Sequence, residues 1–126
     1  MVWERFIELN PNKKWRMDYD VKVGIGRLPQ EELEEKYKKD WRDLTRKRID
    51  AVAWSENNVF LIELKPRAGL SAIGQILGYS ELWADLHDND RRVRKAVICH
   101  SSDPDTLRVA EEAGVEIVIL EPAAKS

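Results

Sequence analysis

The sequence RIDAVAWSENNVFLIELKP at residues 48–66 constrains the fold of this chain more than any other stretch. Two apolar runs flank the polar tetrapeptide SENN, a pattern typical of two antiparallel β-strands joined by a tight turn. If the central two residues of SENN form the turn, Asp50 lies directly opposite Glu63, with the Cβ atoms about 5 Å apart on one face. Lys65, two residues beyond Glu63, points to the same face.

The three charged residues of this hairpin need a compensating partner. Two carboxylates at that separation repel by roughly 3 kcal/mol at an effective dielectric constant of about 20, and Lys65 offers one positive charge against them. A divalent ion would complete the balance, and Mg²⁺ is typically bound through one or two carboxylates with waters and substrate phosphate. The alternative is a plain salt bridge of Lys65 with Glu63 or Asp50. Because three ionisable groups converge within apolar sequence, the pattern favours a functional site.

Hydrophobic periodicity predicts alternating helices and strands along the rest of the chain. In chain order the elements are a short helix over VWERFIEL, a strand over WRMDYDVKVGIG, an inserted amphipathic helix at about residues 29–46, the two hairpin strands, a helix from Ser71 to about Leu86, a strand over KAVICH at 95–100, a helix from Asp103 to Gly114 and a strand over VEIVIL. This order predicts a single α/β domain over residues 1–126, with a mixed sheet flanked by helices.

The helix that follows the hairpin carries the most detailed expectations. Ser71 is expected to cap its start. Gly74 and Gly78, four residues apart, are expected to let the helix lie close against the sheet. The candidate core side chains are Ile73, Ile76, Leu77, Leu82, Trp83 and Leu86.

Charge and composition exclude several classes of protein. The net charge of −2 gives no overall attraction to nucleic acid, but residues 36–48 and 91–95 are locally basic, either as solvated surface or as phosphate contacts. The single Cys99 precludes an intrachain disulfide and is expected to be a core residue. No Cys pair or G-K-[S/T] motif indicates a zinc site or P-loop. Without a membrane-length apolar run or a signal peptide, we expect a cytoplasmic protein.

Three sequence elements resemble the PD-(D/E)XK nuclease superfamily, which has the restriction-endonuclease-like fold. They are the strand RIDAV, the sequence IELK and the sequence QILGY on the following helix, and together they are most similar to small archaeal and phage-type DNA endonuclease modules. Ile49 stands where the motif usually has proline. The matching positions are Asp50, Glu63, Leu64 and Lys65 for the acidic motif and Gln75 and Tyr79 for a Q-x-x-x-Y element.

The resemblance implies roles for these residues. Asp50, Glu63 and the Leu64 carbonyl would hold metal, Lys65 would serve the attacking water, and Gln75 would steady the site or the substrate phosphate. Further residues are implied more loosely: Tyr79 supports Gln75 or contacts the DNA backbone, Lys47 and Arg48 contact DNA, and an acid from the first helix, Glu4 or Glu8, joins the metal site, with Glu8 the weaker candidate.

The function that follows from these expectations is a Mg²⁺-dependent DNA endonuclease, with Mn²⁺ able to substitute. No segment indicates an added recognition module, so structure-directed or nonspecific cleavage is favoured over sequence-specific cleavage. A homodimer presenting two sites remains open. The alternatives are a non-catalytic nucleic-acid-binding or assembly subunit with the same fold, and an RNA-processing nuclease.

Overall fold

The computed structural model describes residues 16–27, 46–87 and 91–121. Within these ranges the elements are β1 (Arg16–Val23), β2 (Lys47–Trp54), β3 (Asn58–Leu64), β4 (Arg67–Ala68), α1 (Leu70–Leu86), β5 (Arg92–Cys99), β6 (Ser101–Ser102), α2 (Pro104–Ala113) and β7 (Val115–Ile119). The expected N-terminal helix and nearly all of the inserted helix at about 29–46 lie outside the described residues. Among the described helices, none is long and apolar enough to cross a membrane.

Among the described residues, the main sheet has five strands in the order β1-β2-β3-β5-β7. The pairs β1–β2 and β2–β3 are antiparallel, whereas β3–β5 and β5–β7 are parallel. The parallel pairs are joined through α1 and α2, as the alternating pattern predicts, and the fold is restriction-endonuclease-like. The pair β4–β6 was not predicted, because two-residue strands have no detectable hydrophobic period.

The hairpin has the predicted two-residue turn. Ser55 N donates to Asn58 O at 2.9 Å, and the β2–β3 register pairs Trp54 with Val59 and Ala51 with Ile62. This register is the one that sets Asp50 opposite Glu63.

The central strands are buried on both faces, which explains their nearly continuous apolar sequences. One face packs against both described helices, and the second face forms a separate cluster. The first cluster includes Val52, Leu61, Val97, Ile76 and Ala110, and the second includes Ala51, Ile62, Ala96, Ile98 and Leu120.

The boundaries of the two helices confirm one capping prediction and correct another. In α2, Asp103 accepts a hydrogen bond from Thr106 N at 2.9 Å, and Gly114 ends the helix at φ 71°, as predicted. In α1, the predicted Ser71 cap is wrong. The cap residue is Gly69, two residues before Ser71, and it has no side chain to cap with. Ala72 N donates to Gly69 O at 3.1 Å, which closes the first turn through the backbone.

The predicted core contacts of α1 are correct except at Leu86. Ile73, Ile76 and Trp83 are buried, and Leu77 and Leu82 are partly buried against the same cluster. Leu86 is 48% exposed, because it lies beyond Trp83, the last buried position of the helix. Gly74 and Gly78 do not face the sheet. Both are exposed, and a Cβ atom added to either would meet no described residue outside its own helical turn within 4 Å.

Strand β1 changes its side-chain alternation at Asp20. Asp20 has φ 49°, in the left-handed region that non-glycine residues rarely adopt. On one side of it Met17 packs with the second cluster, and on the other side Val21 packs with the helix-facing cluster. The strand then ends at Val23, and the prediction that it includes Ile25 is wrong, since Ile25 is 82% exposed.

Candidate active site

The candidate site lies where β2 and β3 separate. Their ladder ends at the pair Ala51–Ile62, although β2 stays paired with β1, and β3 with β5, beyond that point. A side chain then replaces the backbone partner, because Leu64 N donates to Asp50 Oδ2 at 2.8 Å. This bond fixes the Asp50 carboxylate at the fork, next to Glu63.

Glu63 is buried with an unsatisfied oxygen. The residue is 4% exposed, Oε1 lies 3.7 Å from Lys65 Nζ, and Oε2 has no hydrogen-bond partner within the described structure. Desolvation, followed by the adjacent Asp50 carboxylate, raises the pKa of Glu63 to about 8, and Lys65 counteracts only part of this shift. The salt bridge that the sequence offered as an alternative therefore exists but does not balance the two acids.

Tyr79 joins this group from α1. Burial, together with the nearby charges of Glu63 and Asp50, raises the pKa of the Tyr79 phenol. Gln75 lies one turn earlier on the helix and is exposed, and it forms no hydrogen bond to any described residue. The structure thus brings Asp50, Glu63, Lys65 and Tyr79 together, whereas Gln75 makes no hydrogen bond to any of them.

The donor set fits a hard divalent cation. Glu63 Oε2 is a buried acceptor without a donor, and a bound cation would satisfy it. Across the described ranges no three His, Cys, Asp or Glu side chains converge, so within these residues the fork offers two carboxylates, Asp50 and Glu63. Two carboxylates supplemented by water suit Mg²⁺ better than Zn²⁺. The Leu64 carbonyl stays a predicted ligand, and Glu4 and Glu8 lie outside the described residues.

The basic residues near the site differ in whether they already contact another side chain. Lys47 and Arg48 are exposed at the start of β2, within three residues of Asp50. In the second basic segment, Arg94 is occupied, because its Nε donates to Glu116 Oε2 at 3.0 Å, and Arg91 lies 5.2 Å from the Trp54 ring centroid. Most of the first segment, residues 36–45, lies outside the described residues.

Sequence reasoning missed two features of the site. The Leu64 amide bond to Asp50 has no sequence signal, because it depends on the strands separating. Asp20 occupies the β1 position opposite Asp50, between the pairs Tyr19–Ala51 and Val21–Ile49. Its signal in the sequence was the run of alternating charged residues in MDYDVKV.

The sheet order, the forked hairpin and the acids at the fork define a restriction-endonuclease-like α/β domain. Solved structures share this fold. A repair endonuclease from Pyrococcus abyssi aligns with a TM-score of 0.60 at 18% identity over 96% of this chain, and an EndoMS–dsDNA complex aligns with 0.60 at 19% over 98%. A protein of unknown function aligns with 0.54 at 13% over 89% of this chain and 53% of its own.

This chain spans 46% and 45% of the two endonuclease chains, so the likeness concerns one part of larger proteins. At such low identity it establishes the fold alone. No protein-family model matches the sequence, and no curated protein matches it significantly.

Proposed function

We propose that this chain is a metal-dependent nuclease domain of the PD-(D/E)XK type that hydrolyses phosphodiester bonds in DNA. The observation that carries the proposal is Glu63 Oε2, a buried carboxylate oxygen without a partner, placed beside Asp50 and within reach of Lys65. Burying two acids and one cation in an apolar fork destabilises the fold, and a metal-binding role would explain why these charged residues are present. The shared fold with two endonucleases supports the same conclusion.

Each residue at the fork has a distinct proposed role. Asp50 and Glu63 would hold Mg²⁺ or Mn²⁺, with the Leu64 carbonyl as a third ligand. When bound, the metal supplies Lewis acidity toward the phosphoryl oxygen and lowers the pKa of a coordinated water. Lys65 Nζ, anchored 3.7 Å from Glu63 Oε1, would orient the attacking water or assist its deprotonation. Gln75 and Tyr79 would contact the substrate phosphate and support the acids.

Duplex DNA is the proposed substrate, cut in a structure-directed or nonspecific manner. The exposed Lys47 and Arg48 lie beside the fork, where they would contact phosphates without reading bases. One structural neighbour was solved with double-stranded DNA, which supports DNA over RNA.

A cleavage assay tests the proposal. Labelled duplex, single-stranded, mismatched, flapped and four-way-junction DNA are incubated with Mg²⁺, Mn²⁺ or EDTA, and we expect cleavage only with metal. Lys65→Ala should slow cleavage by about 10²- to 10⁴-fold, the usual loss of a group that aids proton transfer. Arg108→Ala is the control, because Arg108 is exposed on α2 and contacts Glu112 at 3.7 Å.

Each contrary result has a definite meaning. Wild-type rates in Lys65→Ala would reject the assigned site. Binding of DNA without cleavage in either metal would favour a non-catalytic binding module. Preferential cleavage of RNA in a parallel assay would favour an RNA-processing nuclease.

A further inference from the structure

Strands β1 and β2 exchange their two faces at directly opposed residues, Asp20 and Asp50. In β2, Val52 packs in the helix-facing cluster and Ala51 in the second cluster, so strict alternation would place Ile49 in the second cluster as well. Ile49 packs in the helix-facing cluster instead. The reversal in β2 therefore falls at Asp50, opposite the reversal at Asp20 in β1.

The reversal in β1 has a backbone cause. Asp20 has φ 49°, which turns the strand over between Tyr19 and Val21. The Asp20 side chain is exposed and forms no hydrogen bond or ion pair with another described residue, so the fold uses the backbone of this residue. Aspartate, asparagine and glycine adopt a left-handed φ more readily than other residues do.

The register makes the two strands turn over together. Tyr19 pairs with Ala51 and Val21 pairs with Ile49, so one residue of each strand lies between these two pairs. Directly opposed residues of an antiparallel pair share one face of the sheet. A reversal in β1 therefore requires a reversal in β2 at the opposed residue, which is Asp50.

This turn brings the Asp50 carboxylate into the plane of the sheet. Side chains of a regular strand stand roughly perpendicular to the sheet, away from the backbone amides of the neighbouring strand. Lys65 N donates to Ile98 O of β5, so Leu64 N points the other way, toward β2. Asp50 Oδ2 accepts from Leu64 N at 2.8 Å, and the carboxylate is thereby held beside Glu63.

We propose that Asp20 is a positioning residue of the candidate active site, because its left-handed backbone turns Asp50 toward Leu64 N and so sets the Asp50 carboxylate beside that of Glu63. This inference rests on the proposed nuclease function, in which these two carboxylates hold the metal. The role requires no contact of the Asp20 side chain with metal or substrate.

Amide hydrogen exchange of the metal-free protein, followed by NMR in EDTA, tests the backbone role. Asp20→Val disfavours a left-handed φ. The Leu64 amide should then exchange about tenfold faster relative to the Lys65 amide, the factor that corresponds to the usual strain of such a residue. Lys65 N bonds to Ile98 O on the other side of β3 and is the internal reference, since overall destabilisation would accelerate both amides.

Matched variants separate the backbone of Asp20 from its charge. Asp20→Asn and Asp20→Gly remove the carboxylate but keep access to a left-handed φ, so both should keep the exchange ratio within about twofold of the wild type. Lys22→Val, at an exposed β1 position with regular pairing, is the control for valine itself and should leave the ratio unchanged. If Asp20→Val does not fold, Asp20→Ala makes the same test with less strain, and the ratio should rise several-fold.

Metal affinity gives a second readout that needs no substrate. In a calorimetric titration, Mn²⁺ should bind about tenfold more weakly to Asp20→Val than to the wild type, because the misplaced Asp50 no longer meets the metal beside Glu63. Asp20→Asn and Asp20→Gly should keep the wild-type affinity.

The outcomes distinguish this inference from the proposed function. Equal acceleration of the Leu64 and Lys65 amides in Asp20→Val, with Mn²⁺ affinity unchanged, would show that Asp20 is merely structural. A faster Leu64 amide in Asp20→Asn would assign the effect to the charge and would also reject the inference. If the wild-type protein neither binds Mn²⁺ nor cuts DNA while the exchange ratio responds as expected, the nuclease proposal falls and the backbone role of Asp20 stands.

Discussion

Glu63 is a buried carboxyl group whose pKa rises from 4.5 to about 8 on folding, first through desolvation and then through Asp50. Between those two values the folded protein binds more protons than the unfolded chain, which ionises near the ordinary pKa. The free energy of unfolding of the metal-free protein therefore decreases as pH rises through this window. The stabilisation is fully present only below about pH 4.5 and is lost once the pH exceeds about 8.

We predict that Glu63→Gln removes this pH dependence. The amide fills the same space without ionising. The free energy of unfolding of the variant, relative to that of the wild type, should therefore increase by on the order of 2 kcal/mol between pH 6 and pH 8.5. Urea denaturation in EDTA at the two pH values measures the difference. A constant difference between the two proteins at both pH values would show that the Glu63 carboxyl is not buried with a raised pKa.

Among the elements, α1 carries two glycines that its packing does not require. Gly74 and Gly78 are exposed, and an added Cβ atom would meet no described residue outside its own helical turn within 4 Å. Glycine inside a helix costs about 0.5–1 kcal/mol relative to alanine, because it loses more backbone entropy on folding. We predict that Gly74→Ala and Gly78→Ala each raise the free energy of unfolding by about that amount, measured by urea denaturation.

Gly114→Ala is the matched control for this helix prediction. Gly114 also has open space around it, but its φ of 71° lies in the left-handed region. Alanine is strained there, so this substitution should destabilise the protein. If Gly74→Ala also destabilises the protein, the prediction fails, and another part of the folded protein must pack against this face of α1.

The elements also show how far the sequence could predict this structure. The hairpin register was predictable, because a two-residue turn leaves one pairing between the two runs. The fork at Asp50 was not, since it depends on β1 and β5 holding β2 and β3 apart. Only the motif resemblance predicted that Tyr79 lies near the acids. The glycine orientation in α1 was mispredicted, because a four-residue spacing identifies one helix face without saying which face is buried.

At the scale of the whole molecule, the fork joins two parts of one sheet. Asp50 belongs to the β1–β2 pair, whereas Glu63 belongs to β3, which continues into β5 and β7. Beyond the β2–β3 ladder, the two strands are joined by the hydrogen bond from Leu64 N to Asp50 Oδ2. A metal ion held by Asp50 and Glu63 would add a second link and would stabilise the entire sheet.

We predict that Mn²⁺ or Mg²⁺ raises the free energy of unfolding of the whole domain with the logarithm of its concentration, by about 2.7 kcal/mol at a hundredfold excess over Kd. The urea midpoint should rise accordingly. Binding requires Glu63 to lose its proton, so the apparent affinity should be roughly 10- to 100-fold weaker at pH 6 than at pH 8. Glu63→Ala and Asp50→Ala should lose the response, and KCl of equal ionic strength should not reproduce it. Because this readout needs no substrate, an equal metal response in Glu63→Ala would exclude the fork as the metal site whether or not the protein cuts DNA.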